Sequence, residues 1–322
     1  CFDCNYVRYI ITAVGKADFM KKILSVVLAI SLAATLFCAC SKSNSSNDTP
    51  QTADFSLKYT YDTVYYDYDS SIFHAYEEVC KAVINRDSDV RVNTGYFNKV
   101  QQLLYTSFPL NALVQKYSVK DDDSGISISY NYEQAEHVEK VNLFNKKILE
   151  IEKACNISTA SKEEYVINVY HYISSHIKQS KNVAINSFDT VLKGEGSSFS
   201  YANVFEYLLL QNDIDAYHII GADASDVSWG LSAAALDNKV YYFDPMTEFL
   251  NNGGKSLYYF GMTDADLKSE GIKSVKFSNN GVPSPVNDKR FAACRKCEKW
   301  EIKNRCLLVT VNGGKIVKIA LK

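Results

Sequence analysis

Histidine and tryptophan are scarce in this chain, with five His and two Trp among 322 residues, and there are only three Met and five Pro. Neither sign of charge dominates: 35 basic residues face 37 acidic ones, a formal net charge of −2. This balance excludes the broad basic face on which nucleic acid is bound, so no nucleic-acid partner is expected. Five prolines and fourteen glycines are too few for a collagen-like or low-complexity chain. With so few histidines, every imidazole that could act as base or metal ligand can be considered in turn. What the chain does have is apolar and aromatic substance: 47% hydrophobic residues, 23 Tyr and 16 Phe. That is the composition of a packed globular protein, long enough for one large domain or two ordinary ones.

The N-terminal part reads as an address. Met20-Lys21-Lys22 opens an apolar run from Ile23 to Phe37, followed by Cys38-Ala39-Cys40 and the polar Ser41-Lys42-Ser43-Asn44. A positive start, a short apolar stretch and a small residue before a break describe a secretory signal over 20–39. Ala39-Cys40 resembles a bacterial lipoprotein cleavage site, which implies lipidation of Cys40 and attachment to a membrane through that lipid. Two or more acyl chains anchor stably, because each buried methylene adds roughly 0.8 kcal/mol. An uncleaved membrane anchor is the alternative. Residues 1–19 precede a natural start at Met20 and are read as translated upstream sequence, and 40–54 as a flexible tether. The expected location is extracytoplasmic, on the outer face of the cell membrane.

Beyond Cys40, five cysteines remain: Cys80, Cys155, Cys294, Cys297 and Cys306. An odd number cannot form a complete disulfide framework, although export permits single bridges. Cys294-x-x-Cys297 with Cys306 lacks the second pair or neighbouring His of a zinc site, so a bridge or free thiols is expected and no metal.

Periodicity organises the rest. Ser70 or Ser71 can cap a helix whose apolar face runs Phe73, Tyr76, Val79, Cys80, Val83. Asp89–Val92 reads as a short strand and Tyr96–Tyr105 as a helix stopped near Pro109. Val114–Val119 and Ile126–Tyr132 alternate as strands around Asp121-Asp122-Asp123-Ser124-Gly125. That acidic turn fails calcium-loop spacing, with its Gly one residue early and no closing Glu, and is read as a solvated hairpin. Helices are predicted over Glu133–Cys155, over Lys162–Lys178, and after Gly194-Glu195-Gly196-Ser197-Ser198. Three strands follow, Ala216–Gly221, Leu231–Leu236 and Val240–Phe243, the last two joined at Asp237-Asn238-Lys239. Leu307–Val311 and Ile316–Leu321 flank Asn312-Gly313-Gly314, a strong hairpin signal. The fold class is α+β, helices early and antiparallel strands late. It divides into an N-terminal α/β region 55–132, a central domain 133–280 and a C-terminal β-hairpin segment 281–322.

The order Gly194-Glu195-Gly196-Ser197-Ser198-Phe199-Ser200-Tyr201-Ala202, then hairpin strands ending in Tyr241-Tyr242-Phe243-Asp244-Pro245, resembles the transglutaminase-like superfamily, whose core is papain-like. The resemblance covers Ser161 to about Gly261. It implies a Cys nucleophile at the helix N-terminus, a His on the following hairpin and an Asp that orients it. Here Ser198 stands at the Cys position and Trp229 where the His should be; only Asp244 matches. The only His between Ser198 and Asp244 is His218, one strand too early. Indole has one N–H and no acceptor, so it cannot take a proton, and a serine hydroxyl without a base is a poor nucleophile.

These residues also have structural readings. Ser197 or Ser198 can simply start the helix, and Trp229 can be core or can donate its indole N–H to Asp244. His218 is read as a satisfied strand residue, His74 and His137 as solvated. His171 and His176, five apart, lie about 140° apart round a helix and share no face. The expectation is a degenerate triad of Ser198, Trp229 and Asp244, no cofactor, and a non-catalytic binding or scaffolding role towards a peptide, a protein or a cell-wall glycan. The binding cleft is expected around those residues with Tyr201 and Tyr242. The rival expectation is a hydrolase or acyl transferase using Ser198 with His218 or another base. A third is that the C-terminal cysteines and hairpin form a docking module.

Overall fold

Asp69, Ile72, Tyr76, Val79, Cys80 and Val83 explain the first helix, α1 (Ser70–Asn85). The apolar residues recur every three or four positions and are all buried, and Asp69 caps the start. The expectation of a cap at Ser70 or Ser71 is corrected: the Asp69 carboxylate accepts from the Ser71 N–H at 2.7 Å. A carboxylate bonds more strongly there than a hydroxyl and suits the positive end of the helix. The computed structural model describes residues 53–322 apart from 159 and 183, so the signal peptide, Cys40 and most of the tether lie outside the described residues.

The N-terminal region continues with β1 (Asp89–Val90), α2 (Phe97–Ser107), β2 (Val114–Val119) and β3 (Ile126–Tyr130). The three strands form an antiparallel sheet in the order β1-β3-β2. The Asp121–Gly125 segment is the hairpin turn between β2 and β3, closed by Lys120 N–H on Gly125 O at 3.0 Å. Gly125 passes so close to β1 that a Cβ there would lie 2.0 Å from Val90 O.

Two long helices follow, α3 (Gln134–Ala154) and α4 (Lys162–His176), the second opened by a capping box of Ser161 and Glu164. Then come β4 (Lys178–Gln179), α5 (Ser187–Lys193) and β5 (Glu195–Gly196), with β4 and β5 paired in parallel. Next is α6 (Ser198–Gln211), buried at every position from Ser200 to Gln211 except Asn203. A helix enclosed on nearly all sides is the centre of its domain. It packs on β6 (Ala216–Ala222), β7 (Ser228–Leu236) and β8 (Lys239–Phe243), which with α7 (Pro245–Asn252), α8 (Asp264–Ser269) and β9 (Ser274–Phe277) complete the central part. The sheet order is β8-β7-β6-β9, antiparallel throughout.

The C-terminal hairpin predicted over 307–321 is present as β11 (Cys306–Val311) and β12 (Lys315–Ala320), joined by a third strand, β10 (Cys297–Lys303). The described residues share one hydrophobic core, from Leu57 to Leu321, to which all three predicted segments contribute. Among them no helix is long and apolar enough to cross a membrane.

Candidate functional site

Ser197 begins α6. Its hydroxyl accepts from the Ser200 N–H at 3.4 Å, and Ser200 Oγ accepts in return from the Ser197 N–H at 2.8 Å. Ser198 is therefore the first helical residue, half-buried, with its hydroxyl free of the cap. That hydroxyl accepts the Gly230 N–H at 3.1 Å, which ties the helix start to β7.

Gly230 sits on the helix-facing side of β7: a Cβ there would lie 2.4 Å from Phe199 Cα and 2.8 Å from Ser198 O. Ser232, two residues on, points the same way and donates to Ala202 O at 3.1 Å. Strand alternation sends Trp229 to the opposite face, where it is half-buried. Sequence counting thus arrives at Trp229, but the position that looks at Ser198 is Gly230, where no side chain fits.

Asp244, at the end of β8, caps α7. Its carboxylate accepts from the Thr247 N–H at 2.8 Å and from Thr247 Oγ1 at 2.6 Å. No hydrogen bond joins it to Trp229 among the described residues. Burial pushes its pKa up to about 6, against the Thr247 hydrogen bonds, which lower it. Tyr201 and Tyr242 are both fully buried. The Tyr201 hydroxyl donates to Ile177 O, and the Tyr242 backbone pairs with Met262. Neither ring faces solvent. The structure brings Ser198 to the Trp229–Gly230 backbone, while Asp244, Tyr201 and Tyr242 make their own separate contacts.

No imidazole is hydrogen-bonded to Ser198 among the described residues. His218, on β6 opposite Ser232, faces α6 and stacks on Phe199 with ring centroids 6.0 Å apart. Its backbone N–H donates to Asp62 Oδ2 at 3.0 Å, but its ring is not the satisfied strand histidine expected. The Nδ1 atom is buried without a hydrogen-bond partner, 3.9 Å from Glu206 Oε2. Burial lowers the His218 pKa to about 4, so the ring is neutral. The expectation that His137 is solvated is likewise corrected. It is fully buried, Nε2 2.6 Å from Val83 O, because it falls on the same face of α3 as Val141 and Phe144. His74 is exposed, and a ring nitrogen of His171 lies 2.9 Å from Gly254 O.

The cysteines of the described part are free thiols, with Cys297 and Cys306 at opposite ends of the β10–β11 ladder. Among the described residues no group of three or more His, Cys, Asp or Glu is placed to hold a metal ion. Two residues that sequence reasoning passed over are Glu206 and Asp62. Glu206 is fully buried in α6, and burial, with Asp62 adding to it, raises its pKa well above normal. A lone acid inside Val204-Phe205-Glu206-Tyr207-Leu208 was the available signal. Asp62 accepts from Val64 N–H, His218 N–H and Ser278 Oγ, and burial still raises its pKa to about 6.

No protein-family model matches the chain, and no curated protein does. Among solved structures it is similar to a candidate cysteine protease from Cytophaga hutchinsonii, at 16% identity and a TM-score of 0.28, over 32% of this chain and 37% of that one. It is also similar to a TGase, at 13% identity and a TM-score of 0.31, over 43% of this chain and 46% of the other. A third similarity is to a candidate protease from Parabacteroides distasonis, at 12% identity and a TM-score of 0.32, over 53% of this chain and 35% of that one. The chain thus spans less than half the length of each of these structures.

Proposed function

We propose that this chain is a surface-anchored lipoprotein whose transglutaminase-like domain is catalytically degenerate and serves to bind a peptide, a protein or a cell-wall glycan. The observation that carries the reading is the contact of Ser198: its hydroxyl is held by the Gly230 N–H, and no imidazole is bonded to it among the described residues. General-base assistance is worth 10²–10⁴-fold in rate, and a serine hydroxyl at its ordinary pKa attacks poorly without it. The neutral, deeply buried His218 is directed at Glu206 and Phe199 rather than at that hydroxyl. The anchoring half of the reading rests on the sequence around Cys40.

A fluorophosphonate probe tests the site. The full chain is expected to remain unlabelled, and a wild type that is labelled where Ser198→Ala is not would replace the binding role with a serine hydrolase. Incorporation of labelled palmitate that disappears in Cys40→Ser tests the anchor. A chain carrying no lipid would retire that half of the proposal alone.

A further inference from the structure

Cys294 and Cys297 share one short 3₁₀ turn, Ala292–Lys296, that leads into β10. The Cys297 N–H donates to Cys294 O, the hydrogen bond that closes such a turn. Closure of this kind holds the first and last Cα within about 7 Å of each other. A disulfide needs a separation of roughly 4.4–6.8 Å. Direction matters as much as distance, and in a 3₁₀ helix the side chains three residues apart eclipse. Cys297 has a helical φ of −66°, and φ sets where Cβ points from the preceding peptide, so its Cβ stays in line with that of Cys294. Cys294 is fully buried and Cys297 half-buried. Burial raises the pKa of both thiols, Cys294 to about 12, and the Glu248 carboxylate adds to each, which places them on one side of the turn.

No other described cysteine shares the turn. Cys306 pairs with Lys303 at the far end of the β10–β11 ladder, whereas Cys297 pairs with Val311, so about 20 Å of strand separates them. Cys80 is buried in α1 and Cys155 at the end of α3. The turn is also held from outside. Arg295, between the two thiols, donates through Nη2 to Leu257 O and Phe260 O, in the segment that follows α7. Thiols of raised pKa are slow leaving groups, so a bridge between them resists reduction. That is the character of a structural bridge; catalytic dithiols have lowered pKa values instead.

We propose that Cys294 and Cys297 are a modification site, at which a small-molecule disulfide oxidises the two thiols to an intramolecular bridge. The half-buried Cys297 is the point of entry. Its thiolate attacks one sulfur of the reagent disulfide, which expels one thiolate and leaves a mixed disulfide on Cys297. The Cys294 thiolate then attacks Cys297 Sγ and expels the second. The two protein thiols are oxidised, the reagent is reduced to two thiols, and the two thiol protons end on those products. An oxidising compartment fills the site and a reducing cytosol leaves it open. The bridge makes no use of Ser198 and is independent of the binding role.

The test equilibrates the full chain in glutathione buffers of rising oxidised fraction, traps free thiols with iodoacetamide, and then unfolds the chain and cuts it with trypsin. Trypsin cuts after Arg290, Arg295, Lys296 and Lys299, so the bridge joins peptide 291–295 to peptide 297–299. This joined pair, lighter than its two reduced peptides by two hydrogens, is expected from the native chain, with Cys306 in no protein disulfide. Folding should raise the ratio of bridged to reduced pair by about tenfold or more over the same chain in guanidinium and the same buffer, because groups already held skip the cost of ordering. Cys294→Ser should trap Cys297 as its glutathione mixed disulfide, and Cys297→Ser should leave Cys294 reduced. The inference is overturned by a native ratio equal to or below the unfolded one, by a bridge through Cys306 instead, or by glutathione that stays on Cys297 in the wild type. None of these outcomes bears on fluorophosphonate labelling of Ser198, so the two proposals fail separately.

Discussion

The Cβ that any residue other than glycine would place at Gly230 lies 2.4 Å from Phe199 Cα and 2.7 Å from its amide nitrogen. The first turn of α6 and strand β7 therefore touch backbone to backbone. This contact is what delivers the Gly230 N–H to Ser198 Oγ. Because the obstructing atoms are main chain, relief requires the helix and the strand to separate. Gly230→Ala is expected to lower the unfolding free energy by about 1–3 kcal/mol, the usual cost of overpacking. Denaturant unfolding measures it, and a loss below about 0.5 kcal/mol would mean that this junction is loose.

The two serines at the same junction should behave differently. Ser197 closes a reciprocal cap with Ser200, so Ser197→Ala should cost about 1 kcal/mol and fray the start of α6. Ser198 lies outside the cap; its removal leaves the Gly230 N–H without its acceptor and leaves the helix start intact. Amide hydrogen exchange separates the two. Ser197→Ala should speed exchange at Ser200, and Ser198→Ala at Gly230. A reversed pattern would place the cap one residue further on.

Burial of Asp244 makes a prediction about acid. Its pKa is about 6 in the fold against an ordinary 3.8, so between these values the folded chain holds a proton that the unfolded chain has lost. The stability this group contributes is therefore present at low pH, falls as pH rises from about 4 to 6, and is constant above that. Asp244→Asn retains a good capping residue without the titration. The stability difference between wild type and Asp244→Asn should thus shift by about 2–3 kcal/mol against the wild type over that interval, at roughly 1.4 kcal/mol per pKa unit. A difference that stays flat would mean that Asp244 is already ionised at pH 4.

How far these features were legible in the sequence depends on whether their signals were local. The hairpin at Asp237-Asn238 was readable because both residues favour the left-handed region they occupy, with φ of 51° and 59°. The neighbouring turn at Asn304-Arg305 has nearly the same backbone, φ 51° and 55°, but arginine gives no sign of it, and strand β10 before it was missed. That strand alternates half-buried Trp300 and Ile302 with charged residues, which reads as loop when the turn goes unrecognised. The site shows the same division. Counting located Trp229, but which face of β7 it occupies depends on the register of β7 against β6 and β8 and on Gly230's approach to α6. His137 and Glu206 were misjudged or overlooked because burial of a polar residue is decided by partners distant in sequence.

Arg290 and Glu163 make the last case, because their pairing holds the C-terminal strand. Arg290 Nη1 lies 2.5 Å from Glu163 Oε1, with side chains 19% and 3% exposed. Arg290 Nη2 also donates to Ala320 O, and the Lys322 N–H donates to Glu163 Oε2 at 2.7 Å. One carboxylate on α4 thus receives both the guanidinium and the end of β12. Removing one partner leaves the other buried and uncompensated, which is the expensive way to break an ion pair. Arg290→Ala should therefore lower stability by about 3 kcal/mol or more and speed hydrogen exchange along β12. Replacing both partners with apolar residues of similar size, Glu163→Leu with Arg290→Met, avoids the stranded charge and should cost less than Arg290→Ala alone. Should the double variant prove the less stable of the two, the pair would be contributing net attraction, and the stranded carboxylate could not be the source of the loss.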